Sequence, residues 1–285
     1  MLEKLKQNEK VWELYTKKEE YNPQVTDSFE RFPYYVSKHR DVFEPNVSRF
    51  LVENGLKPVY PDGKKFGVCL THDIDVVCPS RLSPFVDTVR SLYHGQFKKA
   101  LKSPFSRLNK KLNPFWNFRD IMELEDKYNA KSSFYFMALY MENQDYAYEI
   151  EDLKDEISYI SNNGWEVGLH GGHESYNDLE DLINKKNKLE KVIGKNVIGY
   201  RSHYLRFKTP DTWEILSKAG FKYDTTFGYN DCSGFRNGMC HPFKPFNLNT
   251  GKEIDILEIP LTIMDCTLLR DYMRLDFKKA PSGQN

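Results

Sequence analysis

Apolar positions change their spacing along the chain. From residue 1 to about residue 65, charged and aromatic residues mix with irregular, proline-marked stretches, FPYYVSKHR and KPVYPDGKK. This pattern predicts a helical and loop-rich extension that packs on a main domain. An unbroken apolar run, FGVCL from Phe66 to Leu70, then reads as a buried strand. From Trp116 onward two periods alternate. KSSFYFM, Lys131 to Met137, predicts a strand, and Leu153, Ile157 and Ile160 form a helical stripe that stops at Asn162-Asn163-Gly164. WEVGLH, Trp165 to His170, predicts the next strand; Leu179, Leu182, Ile183, Leu189 and Ile193 line one side of a helix ending at Gly194. VIGYR, KYDTT and ILEIPLTIM predict later strands, with a helix from Thr209 to Ala219 ahead of Gly220.

Strands alternating with helices predict a parallel sheet or an α/β barrel. In such folds functional groups gather at the carboxyl ends of the strands. The predicted organisation is an extension over 1–65 and an α/β domain over 66–285.

Composition narrows the picture. Apolar residues make up 40% of the chain, enough to fill a sizeable core. Basic and acidic residues number 41 each, so the overall balance gives no reason to expect nucleic acid. The first residues, MLEKLKQNEKVWELYTKK, lack the apolar core of a signal peptide, and no segment approaches the roughly 20 apolar residues of a membrane span. A cytoplasmic protein with reduced thiols is expected, its five cysteines showing no paired zinc-binding spacing. Locally, Asp87 is the only acidic residue between Ser80 and Arg119. Solvated helical faces explain such a segment most simply; the sharper reading is a surface for an anionic substrate or peripheral contact with lipid headgroups through 80–119.

The strand ends carry the chemistry. LTHDIDVVC, Leu70 to Cys78, places Asp73 and Asp75 where the first strand leaves the core. Two carboxylates this close require a cation, a proton or open water. Later strands end in His170, with His173 and Glu174 just beyond, in Arg201, His203 and Tyr204, and in Asp224. Taken singly, each has a structural explanation: a solvated loop, a core histidine, an ion pair between Arg201 and Asp224.

Taken in order, THDID, GLHGGHESYND, LEKVIGK, VIGYRSHY and GFKYDTT resemble the polysaccharide deacetylase family, also called the NodB-homology or carbohydrate esterase four family. The resemblance spans roughly Phe66 to the C-terminus. It implies a distorted (β/α) barrel with fewer than eight strands and metal-dependent hydrolysis of N-acetyl or O-acetyl groups on sugars. In the first motif, Thr71-His72-Asp73-Ile74-Asp75 spaces the aspartates as D-x-D, giving Asp73 the role of general base and Asp75 that of metal ligand. His170 matches the first histidine of the second motif; His173 is the favoured partner, with Glu174 and His203 as fallback ligands. Arg201-Ser202-His203-Tyr204 matches R-x-P-Y except for His203 in the proline position. The resemblance makes Arg201 the holder of the base, braced by Asp224, and the Tyr204 backbone N–H the oxyanion donor. The family's C-terminal histidine acts as general acid, and this chain has no histidine after His241; His203 is the first substitute, ahead of His72 and His241.

The expected reaction is therefore removal of an acetyl or related acyl group from a sugar, nucleotide-linked or lipid-linked, during surface-polysaccharide biosynthesis. The cofactor is a divalent metal, zinc first, with Co²⁺, Mn²⁺ or Ni²⁺ compatible with the same residue types. The rival expectations are a catalytically weak or inactive sugar-binding homologue and a metal-dependent glycosyltransferase.

Overall fold

The computed structural model describes residues 2–78 and 113–274. Most of the basic 80–119 segment lies outside the described residues. Strand β1 (Leu70–Ile74) is followed by α4 (Phe118–Lys127), β2 (Ser132–Met137), α5 (Lys154–Asn162), β3 (Glu166–Gly171), α6 (Leu179–Ile193), β4 (Gly199–Ser202), α7 (Asp211–Lys218) and β5 (Tyr223–Asp224). A small antiparallel pair, β6 (Phe246–Asn247) and β7 (Lys252–Glu253), precedes β8 (Leu257–Glu258).

Six strands form one parallel sheet in the order β1-β2-β3-β4-β5-β8. Sequential parallel order is the winding of a (β/α) barrel, and among the described residues this sheet has fewer than eight strands. Each helix lays an apolar stripe on this sheet. Ile157 and Ile160 of α5 and Leu182 and Leu189 of α6 are fully buried against Phe134, Phe136 and Leu169. Helix α6 starts on Asp178, whose side chain accepts from the Asp181 N–H, and stops at Gly194 with φ +71°. A side chain there would be strained, so glycine ends the helix cleanly.

Two predicted strands are shorter than their apolar runs. Residues 66–69 precede the first paired residue, since the ladder opens with Leu70 opposite Ser132, and Phe66 and Val68 are exposed. The late run ILEIPLTIM contributes only Leu257–Glu258. Pro260 has no N–H to continue the ladder, and Ile263 emerges at the surface.

The N-terminal residues form α1 (Leu2–Lys6), α2 (Glu9–Thr16) and α3 (Asn46–Glu53), joined by loops. Leu5, Tyr15, Val47 and Leu51 belong to the same buried cluster as the sheet. Glu20 takes two hydrogen bonds from Arg236, at 3.0 and 2.7 Å, with both residues buried. Among the described residues no helix is long and apolar enough to cross a membrane.

Candidate active site

Register brings the strand-end residues together. Asp73 of β1 stands opposite Tyr135, His170 of β3 pairs with Met137 on one side and Arg201 on the other, and Tyr200 pairs with Asp224. Asp75 follows β1 directly. The loop after β2 is tied across the sheet end by Tyr148, whose hydroxyl donates to the Ile74 carbonyl at 2.6 Å and accepts from the Met137 N–H at 2.9 Å.

Three donor atoms converge here. His170 Nε2 lies 3.1 Å from Asp75 Oδ1 and 3.1 Å from His203 Nδ1, and the latter two are 3.5 Å apart. Zinc ligands sit at about 2.0–2.2 Å, which separates tetrahedral neighbours by roughly 3.3–3.6 Å. The tautomer agrees with that use. His170 Nδ1 is 3.0 Å from the Arg201 carbonyl oxygen, which can only accept, so Nδ1 carries a proton and Nε2 is the nitrogen left to face an ion. The donor set therefore fits a divalent ion.

The chain reaches this arrangement through a sharp turn after β4. Two residues of that turn, Tyr204 and Leu205, have positive φ, +57° and +54°. Residues of the extension hold the turn: Arg31 donates to the Tyr204 carbonyl, and the Phe29 ring packs 4.5 Å from the Tyr204 ring.

His173 lies outside the three-atom group. Its Nδ1 is 3.5 Å from Asp145 Oδ2, and its Nε2 is 3.8 Å from the Glu174 carboxylate. Glu174 points toward solvent and toward Arg206, 3.5 Å away. The structure thus brings His203, rather than His173 or Glu174, to Asp75 and His170.

Asp73 stands beside the group. Its Oδ2 is 3.6 Å from Arg201 Nη1, while its Oδ1 is buried without a hydrogen-bond partner. Arg201 donates from Nε to Thr225 Oγ1 at 3.1 Å, so a threonine, not Asp224, takes its second contact. Asp224 accepts instead from Thr226, through both backbone N–H and hydroxyl, and lies against Glu258 at the end of β8. His72, on the opposite face of β1, is tied to Glu125 at 2.8 Å. His241 is remote from this group and pairs with Ser48 Oγ at 3.0 Å.

The electrostatics follow from this crowding. Burial pushes the His170 ring down, but Asp73 and Asp75 outweigh it and its pKa is raised. His203 is pushed down to about 4 by burial and by His170. Burial acts upward on Asp75, yet the two histidines hold its pKa below the usual carboxylate value. Asp224 and Glu258 are both raised, chiefly by burial. A cleft of about 590 Å³ opens over Asp73, Asp75 and Arg201, with Phe115, Ile263 and Asp265 on its rim.

Sequence reasoning missed two residues near this centre. Glu258 comes at a strand end inside an apolar run. Asp145 comes from the loop after β2 and accepts from the Tyr204 hydroxyl at 3.1 Å. The strand-end rule alone could have drawn attention to that loop.

No family model matches the chain. A curated peptidoglycan deacetylase of Helicobacter pylori is 31% identical over 131 residues, covering 40% of this chain and 44% of the relative. The chain thus spans less than half of that relative's length. Among solved structures, a polysaccharide deacetylase homologue from Mycobacterium smegmatis aligns with a TM-score of 0.44 at 20% identity, over 72% of this chain and 61% of the other. IcaB from Ammonifex degensii aligns with a TM-score of 0.32 at 19% identity, over 42% and 57%.

Proposed function

We propose that this chain, which is similar to a peptidoglycan deacetylase and carries the NodB-type polysaccharide deacetylase motifs in order, is a member of that family and a metal-dependent hydrolase removing an N-acetyl or related acyl group from a sugar. The observation that carries this reading is the convergence of Asp75 Oδ1, His170 Nε2 and His203 Nδ1 beside the unpartnered Oδ1 of Asp73.

Asp75, His170 and His203 would hold the ion, which when bound supplies Lewis acidity and lowers the pKa of a coordinated water. Asp73 accepts the proton of the attacking water on its free oxygen, with Arg201 orienting the carboxylate from the other side. The Tyr204 N–H donates to the developing oxyanion, and donors of this kind usually make the largest catalytic contribution. His203 cannot give a lone pair to an ion from Nδ1 and also protonate the leaving amine from that atom. Asp73, protonated in the first half of the reaction, returns that proton to the amine. One carboxyl then serves as base and acid in turn.

We place the substrate among acylated sugar precursors of surface-polysaccharide biosynthesis, in keeping with the H-D-x-D form of the first motif. Its acyl end would enter the cleft at Asp73 and Asp75, with Phe115 and Ile263 offering apolar contact to the sugar. A nucleotide or lipid phosphate would lie outside this carboxylate-lined part of the cleft.

Elemental analysis with an acetate-release assay on a panel of acylated sugars tests the proposal. One metal per chain is expected, and Asp73→Asn should keep it while lowering turnover by about 10²–10⁴-fold. A metal-loaded wild type that binds acylated sugars and releases no acid would point to a sugar-binding homologue.

A further inference from the structure

The obligatory proton on the far side of His203 has a waiting acceptor. A histidine that gives its Nδ1 lone pair to an ion carries its remaining proton on Nε2. His203 Nε2 faces Asp145 Oδ2 at 3.8 Å. That oxygen is buried and makes no hydrogen bond, although its partner Oδ1 accepts from Tyr204 at 3.1 Å. His173 Nδ1, also buried and without a hydrogen bond, approaches the same oxygen from the other side at 3.5 Å.

We propose that Asp145 is a positioning residue for the metal centre: it accepts the Nε2 proton of His203, fixing the tautomer that aims Nδ1 at the ion, while His173 and Tyr204 hold the carboxylate in place. This rests on the metal reading above. A buried carboxylate oxygen without a donor is unfavourable, and that penalty is relieved when His203 is locked as its donor. The device is local. Tyr204 follows His203 in sequence and its ring lies 3.7 Å from it, so the turn that delivers the ligand also delivers the anchor for Asp145. The Asp145 backbone sits at φ +67°, a left-handed region that aspartate tolerates better than most residues. The histidine offered by the second motif then acts one step away from the ion, through Asp145.

The test uses purified full-length protein, stripped and reloaded with zinc alone. Competition with a chromophoric chelator should show about a 10–100-fold loss of zinc affinity in Asp145→Ala, and Asp145→Asn, which keeps an acceptor oxygen, should recover most of it. The thermal midpoint of the metal-free protein should not fall in either variant, whereas a purely structural residue would lower it. In zinc-loaded wild type, nitrogen-15 NMR should find the His203 proton on Nε2 and slow to exchange. Unchanged zinc affinity in Asp145→Ala, or a His203 proton on Nδ1 in zinc-loaded wild type, would overturn the inference while leaving metal binding intact. If wild type takes up no zinc, the metal reading itself falls and this inference with it.

Discussion

His170 turns its Nδ1 onto the backbone carbonyl of Arg201, its cross-strand neighbour, at 3.0 Å. The bond comes from β-sheet register alone, and it commits Nε2 to face Asp75 and His203. Replacing any of Asp75, His170 or His203 by alanine should therefore abolish stoichiometric metal binding. His173→Ala should retain one metal per chain with reduced affinity. Elemental analysis after gel filtration separates the two ligand sets, and equal loss in the His173 variant would return that residue to the first coordination sphere.

Metal affinity should depend on pH through His170. Its pKa is raised by Asp73 and Asp75 against the opposing effect of burial, so a proton competes with the ion for Nε2 at a pH above the ordinary histidine range. As pH falls through that raised pKa, zinc affinity should drop about tenfold per unit for the one proton displaced. His203, held down to about 4, does not add a second proton near neutrality. Chelator competition between pH 5 and 9 measures the slope; a flat profile above pH 6 would contradict the assignment.

Most of the sheet was readable because strand and helix periods alternate with sharp stops, as at Gly164 and Gly194, both in positive-φ positions. Asp73, Asp75 and His170 were readable because each closes an apolar run. His203 was harder, since the motif it departs from has a proline there, and it meets Asp75 and His170 just before a turn with left-handed Tyr204 and Leu205 that no periodicity announces. Asp145 carries no periodic signal. Its role depends on a loop anchored by Tyr148 to the end of β1, a contact across 74 positions of sequence. Strand limits failed where pairing partners ran out, at 66–69 and beyond Pro260.

The buried pair Asp224 and Glu258 should behave as one acid holding one proton. Glu258 accepts from the Trp213 indole at 2.7 Å and from the Phe227 N–H at 3.2 Å, and Asp224 Oδ2 has no other donor than a shared proton. Both pKa values are raised. Raised carboxyl pKa values make this contribution to stability complete below the ordinary carboxylate range and progressively lost as pH rises through the raised values. Asp224→Asn supplies an N–H donor in place of that proton, so it should cost less than about 1 kcal/mol near neutrality and flatten the alkaline decline; Asp224→Ala should cost about 1–3 kcal/mol. Urea unfolding at several pH values decides this, and an unaltered alkaline decline in Asp224→Asn would show that the pair does not govern it.

The extension should prove inseparable from the barrel because its charges are buried in the shared core. Glu20, 4% exposed, meets Arg236, 3% exposed, in a two-bond pair, and also accepts from the Thr209 hydroxyl at 3.0 Å. Arg236 also donates to the Gly228 carbonyl at 2.8 Å, and its guanidinium lies over the Phe227 ring, so it cannot simply turn to water. Removing Glu20 strands the Arg236 charge at a cost of about 3–5 kcal/mol, and removing Arg236 leaves Glu20 with only Lys17 Nζ, 3.6 Å away, as a charged partner. Glu20→Ala and Arg236→Ala should each lower the urea midpoint by that margin, whereas the double change Glu20→Leu with Arg236→Met, which removes both charges and keeps volume, should recover much of the loss. If the double variant is instead as unstable as the sum of the two single changes, the pair's energy lies in packing and in its bonds to Thr209 and Gly228 rather than in the burial of unmatched charge.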